Sequence, residues 1–212
     1  MDNDLTGAAV IGDVIGSRWR DPAEDWHGIL VAALDRVNAQ VDATQPLAPT
    51  VGDEFQAMYP TLGAAVRATM LVRLELDSKL DCRFGIGVGS SAEVGRGALP
   101  IQAGTAWWAA RDAIVTVKSH ESGRHPSLRT WCATASSDDG PMNAYLLARD
   151  HLITSMDARS RRLLLGTIQS RTQSELARSE GIGQSAVSRS LRRNGAYAVA
   201  DGAALIESKG EP

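Results

Sequence analysis

Two sets of side chains in this sequence have the type and spacing to do chemistry. The first is a pair of carboxylates, Asp13 and Asp53, each directly after a glycine. A carboxylate at the end of a buried apolar run is costly unless a cation or strong hydrogen-bond donors meet it. Two of them brought to one place would make a site for a divalent cation such as Mg²⁺ or Mn²⁺. The second set is Gln184, Ser185, Ser188, Arg189, Arg192 and Arg193, which on a helix share the face opposite Val187 and Leu191. Amide, hydroxyl and guanidinium groups reach base edges and phosphates when a helix lies in the major groove of double-stranded DNA. Each set has a plainer reading: Asp13 caps a turn, Asp53 is an ordinary hairpin residue, and the cationic helix merely packs on its neighbours.

The elements that must position the cationic set are two short helices. Thr172 and Glu175, three apart, have the pattern of a capping box that starts the first, with Leu176 and Ala177 facing inward. Gly181 supplies the sharp bend, Ile182 packs the corner, and a second helix opens near Gln184 and ends before Gly195. Residues 173–192 resemble the helix-turn-helix of phage repressors and bacterial regulators. That resemblance implies DNA contacts from Thr172, Gln173, Gln184, Ser185, Ser188, Arg189, Arg192 and Arg193. Glu180 departs from the pattern, which has a buried aliphatic residue there. Helices predicted over 142–156, 159–168 and 197–206 would form the scaffold of an all-α domain, the last covering the core or pairing with a second subunit.

The carboxylates fall in a different pattern. Residues 7–15 read as a buried strand, and 22–41 as an amphipathic helix. A hairpin is predicted over 46–59 with its turn at Gly52-Asp53. Another helix covers 62–76, with Arg67, Arg73 and Glu75 on its wet side. A strand over 82–88 carries Gly85, Gly87 and, just after it, Gly89, spacing that implies a close approach to that backbone. A helix over 105–117 holds Trp107, Trp108 and Arg111, and a strand over 128–135 completes the sheet. The order β-α-β-β-α-β, then a further helix and strand, is ferredoxin-like, mainly antiparallel with helices on one face. The expected class is α+β: a ferredoxin-like domain over residues 1–137, then the helical domain over 138–212 with its helix-turn-helix at 172–193.

GDVIGS at 12–17, TVGDEFQA at 50–57, RFGIGVG at 83–89 and AAR at 109–111 resemble motifs of class III nucleotide cyclases and, more distantly, of GGDEF-type diguanylate cyclases. The resemblance implies a metal role for Asp13 and Asp53, a ligand carbonyl at Val14, phosphate contacts from Val14, Ile15, Gly16 and Ser17, and Arg111 as donor to developing phosphate charge. It also implies that three cyclase positions are lost, because the base-reading lysine falls at Pro49, its acidic partner near Ile101 and the catalytic asparagine at Trp107. Arg111 has the alternative of pairing with Asp112 or Glu93, and the two tryptophans that of core and interface surface. Over residues 8–206 the chain resembles the SatD family, chiefly in GDVIGSR and WWAARD.

The bulk properties fit this layout. A chain of 212 residues with 43% hydrophobic and 22% charged side chains is globular and able to bury one large core or two modest ones. Neither an apolar run long enough for a membrane span nor a signal-peptide pattern occurs, so a soluble, cytoplasmic protein with no membrane partner is expected. Cys82 and Cys132 lack metal-ligand spacing and read as reduced core thiols. Residues 141–212 hold 10 Lys+Arg against 7 Asp+Glu, whereas 1–140 hold 12 against 18, so the cationic end is the end with the helix pair. The expectation is a DNA-binding transcriptional regulator, a homodimer, whose degenerate cyclase-like part senses a nucleotide or mediates dimerisation. The alternative is a metal-dependent enzyme acting on nucleoside triphosphates and targeted by its helix-turn-helix.

Overall fold

The fold was taken from a computed structural model, which describes residues 5–21, 24–94, 101–134 and 139–208. Strand β1 (Leu5–Val14) leads through a single 3-10 turn at Ser17–Trp19 to helix α1 (Trp26–Asn38), the hairpin β2 (Gln45–Pro49) and β3 (Glu54–Tyr59), and helix α2 (Leu62–Glu75). Then come β4 (Cys82–Val94), β5 (Ile101–Ala103), α3 (Thr105–Glu121) and β6 (Thr130–Thr134). The sheet runs β2-β3-β1-β4-β5, with β6 parallel to β4 and the other pairings antiparallel.

Because successive side chains of a strand point to opposite faces, β1 supplies both sides of the sheet. Ala8 and Val10 join Phe55, Ala57 and Tyr59 under α1 and α2, while Ala9, Ile11 and Met58 meet Ala106, Trp107, Ala110 and Ile114 of α3. Helices therefore cover both faces, where the ferredoxin-like pattern led us to expect one. The reason lies in β4. A Cβ on Gly85 would sit 2.0 Å from the Ala110 carbonyl oxygen, and one on Gly87 2.1 Å from that of Ala106. Without side chains there, α3 lies directly on the strand, so the close approach implied by the glycines is that of a helix.

Beyond the sheet come α4 (Gly140–Ser155), α5 (Ala158–Ile168), α6 (Gln173–Glu180), α7 (Gln184–Arg193) and α8 (Ala196–Glu207). The expected domain boundary at 137/138 lies outside the described residues. Leu163, Leu164, Leu176, Val187, Leu191 and Val199 form a second core, and α2 contributes Met70 and Leu74 to it. Burying a side chain of this size is worth about 1.5–3 kcal/mol.

Arg73 does not face water as its helical position suggested. It is 0% exposed; its Nε donates to Asp81 Oδ1 at 3.0 Å and its Nη1 to Asp150 Oδ1 at 3.2 Å. Asp150 also accepts from Arg149 and from the backbone N–H groups of Arg129 and Thr130. The helical wheel failed at Arg73 because helices packed on α2 from its far side close over the face that a two-layer fold leaves open. Cys82 and Cys132 are free, buried thiols, and burial pushes the Cys132 thiol up to about 12. Among the described residues no helix is long and apolar enough to cross a membrane.

Candidate functional site

The C-terminal end of β1 and the turn before β3 close on a cavity of about 190 Å³ lined by Asp13, Val14, Gly16, Ser17, Arg18, Trp19, Asp53, Arg83 and Lys118. Pairing of β1 with β3 sets Asp13 beside Glu54, so Asp53 arrives at the same end of the sheet. The backbone N–H of Val14 donates to the Asp53 carbonyl oxygen at 3.2 Å, and the Ser17 hydroxyl donates to the Asp53 carboxylate. Asp13, Val14, Gly16, Ser17 and Asp53 thus come together as the motifs suggested. Ile15 instead donates its N–H to the Asp81 carbonyl oxygen, and it does not line the cavity.

Asp13 is 5% exposed, and both of its oxygens face cations: Lys118 Nζ is 2.5 Å from Oδ2, and Arg83 Nη1 is 3.4 Å from Oδ1. Arg83 is shared with Glu121, whose Oε2 accepts from its Nε at 2.5 Å. Neither Lys118 nor Arg83 was singled out in the sequence, because the structure alone brings them to Asp13. Arg83 lies directly across from Asp13 in the antiparallel pairing of β1 and β4. Lys118 follows Arg111 by two helical turns on α3. A divalent ion needs carboxylate oxygens free to coordinate it. With Asp13 already neutralised, the residues as arranged do not fit the metal role that the cyclase motifs implied for Asp13 and Asp53. No cluster of three or more metal-ligating side chains occurs among the described residues.

Arg111 does not line this cavity. Its Nη1 and Nη2 donate to Glu54 Oε1 and Oε2 at 2.8 and 3.1 Å, a bidentate pair that raises the guanidinium pKa. Its partner is Glu54, not Asp112; Glu93's side chain lies outside the described residues. At the positions that the resemblance matched to cyclase residues, Pro49 ends β2 in solvent, and Trp107 is buried with its Nε1 donating to Ser91 Oγ at 3.1 Å. The Ile101 side chain lies outside the described residues.

The second candidate surface is on α6 and α7. Thr172 and Glu175 form the reciprocal capping box, and Gly181 ends α6 in the left-handed region at φ 64°. Val187 and Leu191 are buried, while Gln184, Ser185, Arg189, Arg192 and Arg193 are exposed and Ser188 is half-buried. Gln173 is less free, donating from Nε2 to the Tyr197 hydroxyl at 3.0 Å. The odd Glu180 is explained by Arg162, whose Nε and Nη2 donate to its two oxygens at 2.9 and 2.8 Å. Where an aliphatic residue was expected, a forked ion pair joins α5 to α6 and holds the Glu180 carboxyl below its ordinary range. Arg159, at the start of α5, was also missed by sequence. It lines a polar cleft with Ser160, Arg189, Arg193 and Asn194.

The model of the SatD family matches residues 8–198. This chain belongs to the SatD family. Among solved structures, this SatD-family chain is similar to a bacterial light-regulated adenylyl cyclase at 12% identity, with 56% of this chain and 42% of that one covered and a TM-score of 0.45. It is also similar to the guanylyl cyclase Cya2, at 14% identity, 56% and 72% coverage and a TM-score of 0.39. A third is the adenylyl cyclase CyaB from P. aeruginosa, at 15% identity, 52% and 71% coverage and a TM-score of 0.40. The chain thus spans less than half the length of the first of these. No curated protein matches it.

Proposed function

We propose that this SatD-family protein is a transcriptional regulator that reads double-stranded DNA with α7. The observation that carries the reading is the division of α7 into two faces: Val187 and Leu191 are inside, and Gln184, Ser185, Arg189, Arg192 and Arg193 project to solvent. Nothing from the sheet covers that outer face among the described residues, and Ser185, Ser188, Arg189, Arg192 and Arg193 line an open groove along it. Together α6 and α7 make a helix-turn-helix, in which α7 enters the major groove and its arginines meet guanine edges or phosphates. A single helix reads few base pairs, so the regulator acts as a homodimer on two half-sites. Trp108, 67% exposed, and Val115, 59% exposed, are two turns apart on α3 with Arg111 and Asp112 between them, and they offer two apolar anchors for that contact. The β1–β3 cavity is the place for a nucleotide-like effector.

The test is selection of bound duplexes from random oligonucleotides, followed by titration of the selected site at several salt concentrations. Replacing Arg189 and Arg192 together by Ala should weaken binding and reduce the salt slope by about two. Binding and slope equal to wild type would remove α7 as the reading element.

A further inference from the structure

The β1–β3 cavity holds three cationic side chains, Arg18, Arg83 and Lys118, against two carboxylates, Asp13 and Asp53. That balance is the reverse of a site built for divalent metal, in which carboxylate oxygens outnumber the positive charges that compete for them. A nearly buried carboxylate demands a counter-charge, and at Asp13 the counter-charges are covalently part of the chain. Lys118 Nζ takes Oδ2 at 2.5 Å, and Arg83 Nη1 takes Oδ1 at 3.4 Å. The two cations differ in how firmly they are held. Arg83 is fixed from a second side by Glu121, whereas the Lys118 side chain is 46% exposed and reaches Asp13 on a flexible stem from α3.

We infer that Lys118 is the resident cation of Asp13, occupying the place a divalent ion would need and so excluding it, and that its removal would expose a latent metal site at Asp13 and Asp53. The substitution is chemically asymmetric. An ammonium supplies one positive charge and three hydrogen-bond donors, so it neutralises Asp13 and can still donate to an anion, but it cannot coordinate oxygens as a metal ion does. A divalent ion carries twice the charge and binds carboxylate and phosphate oxygens at once. With Lys118 in place, an anion entering this cavity meets Lys118 and Arg18 directly and needs no metal to bridge it.

The experiment measures Mn²⁺ binding by depletion of the free-ion electron paramagnetic resonance signal, with no nucleotide present. Wild type and Lys118→Arg should leave the signal unchanged. Lys118→Met keeps the apolar stem but drops the charge; it should bind Mn²⁺ at least about tenfold more tightly than wild type. Adding Asp13→Asn to that variant should abolish the gain. Lys118→Gln serves in its place if the methionine variant aggregates, and circular dichroism establishes that each variant is folded. Depletion by wild type equal to that by the variant would overturn the inference, as would a folded Lys118→Met or Lys118→Gln protein that leaves Mn²⁺ free. Neither result depends on whether α7 binds DNA.

Discussion

At the scale of single residues, the chain uses arginine–carboxylate forks where the relevant motifs lead one to expect something else. Glu180 shows what such a fork does. Its carboxyl is held low by the hydrogen bonds from Arg162, so its stabilising contribution is complete above the unfolded value of about 4.3 and is lost as pH falls through the lower folded value. Arg162 is 40% exposed in its side chain and also meets Asp77, so removing its partner does not strand a buried charge. Replacing Glu180 by Leu should therefore change stability at neutral pH by less than about 1 kcal/mol, because partly exposed pairs are worth little. The same variant should flatten the acid limb of thermal stability below about pH 4.3. Melting curves over that range check both, and an unaltered acid limb would mean that Glu180 carries no folding-linked proton. Position 180 is where the repressor-like pattern was legible in sequence as a departure. Its cause was not, since Arg162 is eighteen residues away and meets it only through the packing of α5 on α6.

At the scale of elements, most of the architecture was legible because local signals agreed with it. The capping box at Thr172, the bend at Gly181, the continuous apolar run of β1 and the alternating Phe55, Ala57 and Tyr59 of β3 each appear where the sequence placed them. The short β5 was missed, since three residues carry no periodicity, and so was the second helical layer. Gly85 and Gly87 announced a close approach without saying what approaches. Their consequence is now specific: a methyl group at Gly87 meets the Ala106 carbonyl oxygen at 2.1 Å and the Ala110 nitrogen at 2.3 Å, both backbone atoms of α3. Neither can rotate away, so Gly87→Ala must lift the helix off the sheet. The expected loss is at least about 3 kcal/mol, above the usual range for overpacking. Chemical denaturation of the variant measures it, and a loss below about 1 kcal/mol would mean that α3 tolerates displacement. The candidate cavity was half legible for the same kind of reason. Asp13 and Asp53 stand out by type, whereas Lys118 acquires its role only once α3 is laid across β4.

At the scale of the whole molecule, α2 and α4 both contribute to the two cores, and an ionic cluster locks them together. Arg73 from α2, Asp81 before β4, Arg129 before β6, and Arg149 with Asp150 from α4 form one connected set. Asp150 is its centre, since one oxygen receives Arg73 and Arg149 and the other receives two backbone N–H groups. Burial pushes the Asp81 carboxyl up, but Arg73 and Arg129 outweigh that and hold it below its ordinary value. The balance is delicate, because Arg161 is buried nearby with its Nε unpartnered, and burial and the charge of Arg73 lower its pKa. Replacing Asp150 by Asn would leave Arg73 and Arg149 short of negative charge in the interior. Breaking a buried pair in this way costs about 3–5 kcal/mol, which for a chain of this size lowers the melting temperature by about 10 °C. Since α2 carries Met70 and Leu74 into the helical core while Ala65, Val66 and Ala68 face the sheet core, the loss should be felt on both sides. Hydrogen exchange resolves the two: amides of β1 and of α7 should lose protection together in Asp150→Asn. If α7 amides open while β1 stays protected, the helices fold as a unit separate from the sheet, and an effector in the β1–β3 cavity would have no rigid path to the α7 surface.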